Sequence, residues 1–306
     1  MSYGNQLFLW LSQYGQQASS NKRNQGQLKA IVELMRLDKP WGTILLLWPT
    51  MWALWLGNNG MPNAQMLLVF IIGGILMRAC GCVLNDYCDQ DIDAQVQRTK
   101  TRPLAAQVVS KKTTIGLAIV LALGALSLLP FLKLQTRYLA LIGFLLTCMY
   151  PTTKRWLQCP QLFLGLTFAW GIPMAFSESV QGLNSTCWLL YATTAIWIIG
   201  YDTIYAMQDY DDDQKLAIFT MPKWLGGEIK PFIIYCYVGV ILGIMTVAYV
   251  SALHRVFFIY CLLAFATLYY QYVLITGTSK NRYLQAFKLN QWVGLLIWMG
   301  IACAQQ

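Results

Sequence analysis

The chain has 306 residues, of which 57% are hydrophobic and 11% charged, with 12 tryptophans and 17 tyrosines. So apolar a composition excludes a soluble globular domain and reads as a polytopic membrane protein. The net charge is +9, but the Lys and Arg residues sit in short loops between apolar runs, which points to membrane topology and lipid contact and argues against nucleic acid as a partner.

In chain order, residues 1–30 read as a polar cytoplasmic tail and 31–306 as one transmembrane domain. The stretch LFLWL near the start is too short for a secretory signal, and no positive segment precedes it. Apolar runs at 41–57, 64–85, 113–132, 136–150, 160–176, 185–208, 230–251, 254–275 and 289–304 give an all-α bundle of about nine transmembrane helices. With the N-terminus in the cytoplasm and the C-terminus outside, eighteen Lys/Arg fall on the inner side and three on the outer, with Arg78 left inside a span. That bias supports the topology. The nine cysteines show no metal-type spacing and are expected to pack as small hydrophobes. Trp48, Trp52, Trp55, Trp170 and Trp197 are expected as core or interface anchors, some of them lining a slot for an apolar tail. The single histidine, His254, falls on the outer side, so chemistry on the inner side has no imidazole to use.

Acidic residues are scarce and unevenly placed: of thirteen, four lie in 86–93 and five in 202–213. The topology puts both windows on the cytoplasmic side, each closing a helix. Ionisable groups are costly at lipid, so they mark functional candidates there. On a helical projection Arg78, Asn85, Asp86, Asp89 and Asp93 share one face while Asp91 points away. Asp202, Tyr205, Asp209 and Asp213 likewise share a face, and Asp211 opposes it. Cations follow each cluster, Arg98 and Arg102 in one case and Lys215 in the other. Crowded hard oxygen ligands with open valences suit Mg2+ shared with a phosphate substrate. Facing each other, the clusters would hold a diphosphate between them, with basic residues taking the remaining charge. Arg78 is equally readable as a structural cation paired within the bundle, and Tyr205 as packing. A carboxylate cluster also suits a transporter of cations or anionic metabolites, although both clusters lie at one face and a conduction path would want groups near the midplane as well.

The motifs NDYCDQDID with RTKTRPL, and YDTIYAMQDYDDDQK, resemble those of the UbiA family of intramembrane prenyltransferases. Four more stretches carry the likeness: LMRLDKPWGTILLLWPTMWALW at 34–55, RACGC at 78–82, YPTTKRWLQCPQLFLGLTFAWGIPMAF at 150–176 and AFKLNQWVG at 286–294. Within the family the pattern is nearest the bacterial members that prenylate 4-hydroxybenzoate, and it runs from about residue 30 to the end.

The resemblance implies Mg2+-dependent transfer of a polyprenyl group from polyprenyl diphosphate to the carbon ortho to the hydroxyl of 4-hydroxybenzoate, a step of ubiquinone biosynthesis in the bacterial inner membrane. Other family members use naphthoate, homogentisate, haem or chlorophyll precursors. Carried onto this chain, it implies metal and diphosphate ligands at Asn85, Asp86, Asp89, Asp93, Asp209 and Asp213, and diphosphate-binding cations at Arg98, Arg102, Lys154, Arg155 and Lys215. Asp202 and Tyr205 match the opening of the second motif. Asp202, one to two turns deeper than the metal set, is the candidate base, and Arg78 and Tyr205 complete the candidate catalytic set. Arg36 is a candidate for the acceptor's carboxylate, or a topology charge. One departure stands out. After Asp213 the family reads close to K-x-G-x-K-S-T, whereas this chain has KLAIFTM over 215–221, with Ala217 for the glycine and Phe219 for the second lysine.

Overall fold

Residues 26–277 and 279–305, described here in a computed structural model, form helices joined by short turns, with no strand among them. Helix begins at once, over 26–34, inside the stretch expected as tail; residues 1–25 of that tail lie outside the described residues. There follow α1 (Trp41–Asn58), α2 (Ala64–Cys88), α3 (Lys111–Leu126), α4 (Leu134–Met149), α5 (Pro160–Ala169) and α6 (Gly171–Glu178). The remaining long helices are α7 (Ser185–Ala206), α8 (Ile229–Val250), α9 (Val256–Thr276) and α10 (Lys280–Ala304). Five stretches are long and apolar enough to cross a membrane, namely Ala64–Cys88, Lys111–Phe131, Met221–Val250, Val256–Thr276 and Lys280–Ala304. The protein is a multi-pass membrane protein.

Local chemistry explains the boundaries. Side chains of Asn63, Ser110 and Asn184 accept from the N–H groups of Met66, Thr113 and Cys187, capping α2, α3 and α7. The apolar run at 160–176 is broken into α5 and α6 because Pro173 has no N–H for the carbonyl of Ala169. The last helix starts at Lys280, earlier than the apolar run at 289. Its first two turns are polar and aromatic, KNRYLQAFK, so helix formation there carries no hydropathy signal.

α1 runs through the bundle against α2, α6 and α10, while α7 packs on α5 and α8. Trp52 stacks on Trp197 with ring centroids 5.1 Å apart, and both are fully buried. The close approach of α1 and α10 requires a glycine: a Cβ at Gly294 would stand 2.2 Å from the Trp48 ring. A buried polar network ties four helices together at membrane depth. Trp197 Nε1 donates to Asn290 Oδ1 (2.8 Å), Asn290 Nδ2 to Gln271 Oε1 (3.0 Å), and Tyr237 O–H to the same oxygen (2.8 Å). On the other side α3 lies along α2 and α4 along α6, and no comparable packing joins α3 to α4. All nine cysteines are free.

Candidate active site

The acidic motifs do not continue as helix to their ends. α2 stops at Cys88, Asp89 takes φ −98°, ψ 11°, and a single turn covers Gln90–Asp93. α7 stops at Ala206, Asp209 takes nearly the same conformation, φ −104°, ψ 4°, and a single turn covers Tyr210–Asp213. Each break folds the last aspartate of its motif back toward the bundle, so Asp93 and Asp213 are buried and Asp91 and Asp211 exposed.

The two motifs meet across one cavity of about 1190 Å3. One end is charged, walled by Arg36, Arg78, Asn85, Asp86, Asp93, Arg98, Arg102, Lys154, Asp202, Tyr205, Asp209 and Asp213. The other is an apolar branch between α2, α3, α4 and α6, lined by residues such as Phe70, Gly73, Leu123, Leu128, Phe144 and Met174. Ile119, Leu123, Leu126 and Leu141 on its walls are exposed, and α3 and α4, which carry them, do not pack along each other.

Arg98 links the motifs. Its Nε and Nη2 donate to both oxygens of Asp209, at 2.8 and 2.5 Å, and its Nη1 donates to the Tyr205 hydroxyl at 2.8 Å. The guanidinium lies 4.9 Å above the Tyr205 ring, which rests on Phe287. The Gln97 N–H donates to Asp212 Oδ2 nearby. Arg102 Nη1 divides between Asp93 Oδ2 (2.7 Å) and Asp86 Oδ1 (3.1 Å), and Arg36 Nη2 reaches the same Asp86 oxygen at 2.6 Å. Burial raises the Asp93 carboxyl above the usual range, against Arg102. Burial likewise pushes Asp213 up to about 6, with Asp209 adding to it and Lys154, Lys223 and Arg98 opposing.

Not every expected residue sits on the wall. Asp89 is fully buried behind it, with Lys154 Nζ at 2.7 Å on one oxygen and Arg155 Nη1 at 3.4 Å on the other. Arg155 is off the cavity and spends its second nitrogen on Cys88 O. Lys215 points away: its side chain is 76% exposed and lies 3.8 Å from Asp212, because the turn at 210–213 sends the chain outward. Arg36 is engaged by Asp86 and by Glu33 O (2.6 Å).

Arg78 and Asp202 face the cavity, and neither they nor Asp213 take part in an ion pair among the described residues. The Arg78 guanidinium lies 5.1 Å over the Phe168 ring and reaches α1 at Gly42, where a Cβ would stand 2.6 Å from Nη2. The wall also holds Tyr150, Gln161, Tyr201, Thr220, Phe287 and Lys288, which sequence reading did not single out. Tyr150, Gln161, Tyr201, Phe287 and Lys288 lie within stretches that carried the family likeness, so the signal was present without a role attached. Trp170 lines the cavity, whereas Trp52 and Trp197 are core.

Residues 46–298 match the UbiA prenyltransferase family. The chain belongs to the UbiA prenyltransferase family. It is therefore an enzyme, a prenyltransferase. The 4-hydroxybenzoate octaprenyltransferase of Colwellia psychrerythraea is 42% identical over 282 residues, which cover 92% of this chain and 98% of the relative. That of Serratia proteamaculans is 40% identical, covering 91% and 96%. Among solved UbiA structures, an apo homologue from Aeropyrum pernix superposes with a TM-score of 0.75 at 21% identity, over 86% of this chain and 97% of that one. A homologue from Archaeoglobus fulgidus bound to GPP and Mg2+ gives 0.69 at 13% identity, over 90% and 99%. These establish the UbiA fold for the chain.

Proposed function

We propose that the protein transfers a polyprenyl group from its diphosphate to 4-hydroxybenzoate, with Mg2+, at the cytoplasmic face of the bacterial inner membrane, as a step of ubiquinone biosynthesis. The observation that carries the reading is the cavity's division into a doubly acidic, cation-rich end and an apolar branch open toward lipid. That is the polarity of a prenyl diphosphate. Relatives near 40% identity named for this reaction support the acceptor. The spans are α1, α2, α3, α4, the broken α5–α6, α7, α8, α9 and α10, nine in all. With the N-terminus inside, this order leaves the C-terminus outside, and the Lys/Arg bias supports it.

The residues fit a divalent ion. Asp86 Oδ2 is buried without a partner, and Asp213 is buried and in no ion pair among the described residues. No three acidic, His or Cys side chains among the described residues are grouped to hold a metal by themselves, so an ion here would take part of its shell from phosphate oxygens, with carboxylates of the two motifs swinging in as their cations turn to the phosphate. Asn85, Asp86, Asp93, Asp209 and Asp213 would hold it. Bound there, the ion would supply positive charge against a departing diphosphate. Arg102 and Lys154, now held by carboxylates, turn to the phosphate oxygens and thereby release Asp86, Asp93 and Asp89. Arg98, steered by Tyr205, adds a forked donor to the same anion.

An intramembrane arginine without an anion is costly, which makes Arg78, and not the already engaged Arg36, the receptor for the acceptor's carboxylate. The donor's C1–O bond breaks, the phenol ring forms a bond to C1 through the carbon ortho to its hydroxyl, and Asp202 takes the ring proton. Apolar walls exclude the water that would otherwise capture the allylic cation. The test is transfer by membranes containing the chain, using geranyl diphosphate and labelled 4-hydroxybenzoate with and without Mg2+. Lipid-extractable label that requires Mg2+ is the expected result. Folded protein that leaves both substrates unchanged overturns the reading, and transfer to a different aromatic acid in parallel tubes corrects the acceptor alone.

A further inference from the structure

Residues 214–220 lead from the second acidic motif to the short helix Met221–Leu225. Ile218 and Thr220 form the cavity wall beside Asp213, while Phe219 turns outward. This is the loop in which Phe219 stands where the family pattern has lysine. A loop without regular structure must find partners for its carbonyls elsewhere. Two of them share one donor: Lys223 Nζ gives hydrogen bonds to Leu216 O at 3.0 Å and Ile218 O at 2.9 Å. The far edge is fastened as well. Phe219 N–H donates to Lys154 O at 2.8 Å and Met221 N–H to Gln161 Oε1 at 3.0 Å. Lys154 in turn carries the ammonium that holds Asp89. One run of bonds therefore leads from Lys223 through the loop backbone to Lys154 and the first acidic motif.

Lys223 is half-buried and off the cavity wall, so it touches neither substrate. Its ammonium makes charge-assisted bonds to two carbonyls two residues apart, a spacing that fixes the loop's curvature and not merely its end. We propose that Lys223 is a positioning residue, clamping the 214–220 loop as the wall beside Asp213 and, through Phe219, setting Lys154 for the donor's diphosphate. The last part rests on the reading of the charged end as the diphosphate site.

The test compares the full-length wild type with K223M and K223R in detergent. Hydrogen exchange is followed in peptides covering 214–221 and in α7 and α8, and donor KM and kcat are measured separately. K223M is expected to lose protection at the Phe219 amide and to raise donor KM about tenfold with kcat within about threefold. K223R, whose guanidinium also offers donors to both carbonyls, is expected to recover both. Unchanged loop exchange in K223M overturns the clamp. So does an equal rise across α7 and α8, which would make Lys223 a general support of the fold, or a failure of arginine to restore the loop. Loss of loop protection with unaltered donor KM overturns the link to Lys154. If the wild type transfers no prenyl group, the functional reading fails while the exchange data still decide the clamp.

Discussion

Arg98→Ala removes the side chain that makes the most bonds between the two acidic motifs, and its cost follows from the structure. Four hydrogen bonds go: three from the guanidinium to Asp209 and one to Tyr205. Breaking a fully buried ion pair costs about 3–5 kcal/mol because a charge is left uncompensated. Here Arg98 is 35% exposed and Asp209 13%, so water takes up part of the loss, leaving about 2–3 kcal/mol. If that energy holds Asp209 in place for the transition state, kcat/KM for the donor falls roughly 30- to 150-fold. Arg98→Lys keeps the charge but not the fork, and lies between. The assay is a double-mutant cycle with Asp209→Asn on the kinetics of prenyl transfer. In the double variant the loss is expected to be no larger than in the worse single variant, since the two side chains act as a unit. Activity of Arg98→Ala within about threefold of wild type, or losses that simply add in the cycle, would refute the reasoning.

Asp213 makes stability depend on pH in the metal-free protein. Its carboxyl is raised from 3.8 to about 6 in the fold, so the native state binds the proton more tightly. The stabilisation is complete below pH 3.8 and is lost as pH rises through about 6, by at most about 3 kcal/mol. Thermal melts in EDTA should show a falling Tm across that window, and Asp213→Asn should flatten it. Asn290→Leu strands the Trp197 N–H and removes the donor to Gln271, at about 2 kcal/mol or more. It should lower the melting temperature in detergent and leave donor KM within about threefold, because none of Trp197, Tyr237, Gln271 and Asn290 lines the cavity. Gly73 lines the apolar branch, and a Cβ there would meet only Leu128 at 3.6 Å. Gly73→Trp should therefore fill the branch, holding geranyl transfer within about threefold while cutting transfer of a long polyprenyl chain more than about tenfold, read from product masses.

The acidic motifs were legible because the chain has so few carboxylates elsewhere that nine of thirteen in two windows stand out. Most spans were legible as hydropathy. What the sequence hid is side-chain reach and helix termination. A single helical projection put Asp89 on the same face as Asp86, but α2 ends one residue before it, and Lys154 and Arg155 arrive from a loop more than sixty residues away to enclose it. Lys215 follows the motif directly and matches the family pattern, but the turn at 210–213 directs it to solvent, and Lys223, eight residues on, is the lysine that returns to the loop. In the sequence Arg36 reads as an acceptor-binding or topology charge near the start of the first span and Arg78 as a lone cation inside the second. The fold distinguishes them, since Arg36 meets Asp86 and Arg78 meets an aromatic ring.

The ion pairs at the charged end also bear on how such a protein is made. A chain that presented bare aspartates and bare guanidinium groups to the translocation machinery would face a desolvation penalty at every helix end. Here Asp86, Asp89, Asp93 and Asp209 each arrive with a cation supplied by the same chain. Their mutual cancellation within one chain lowers the desolvation cost of burying either partner. Mutations that delete one partner should therefore lower the amount of protein recovered from membranes as well as its turnover, so yield per cell belongs beside every rate measured on these variants.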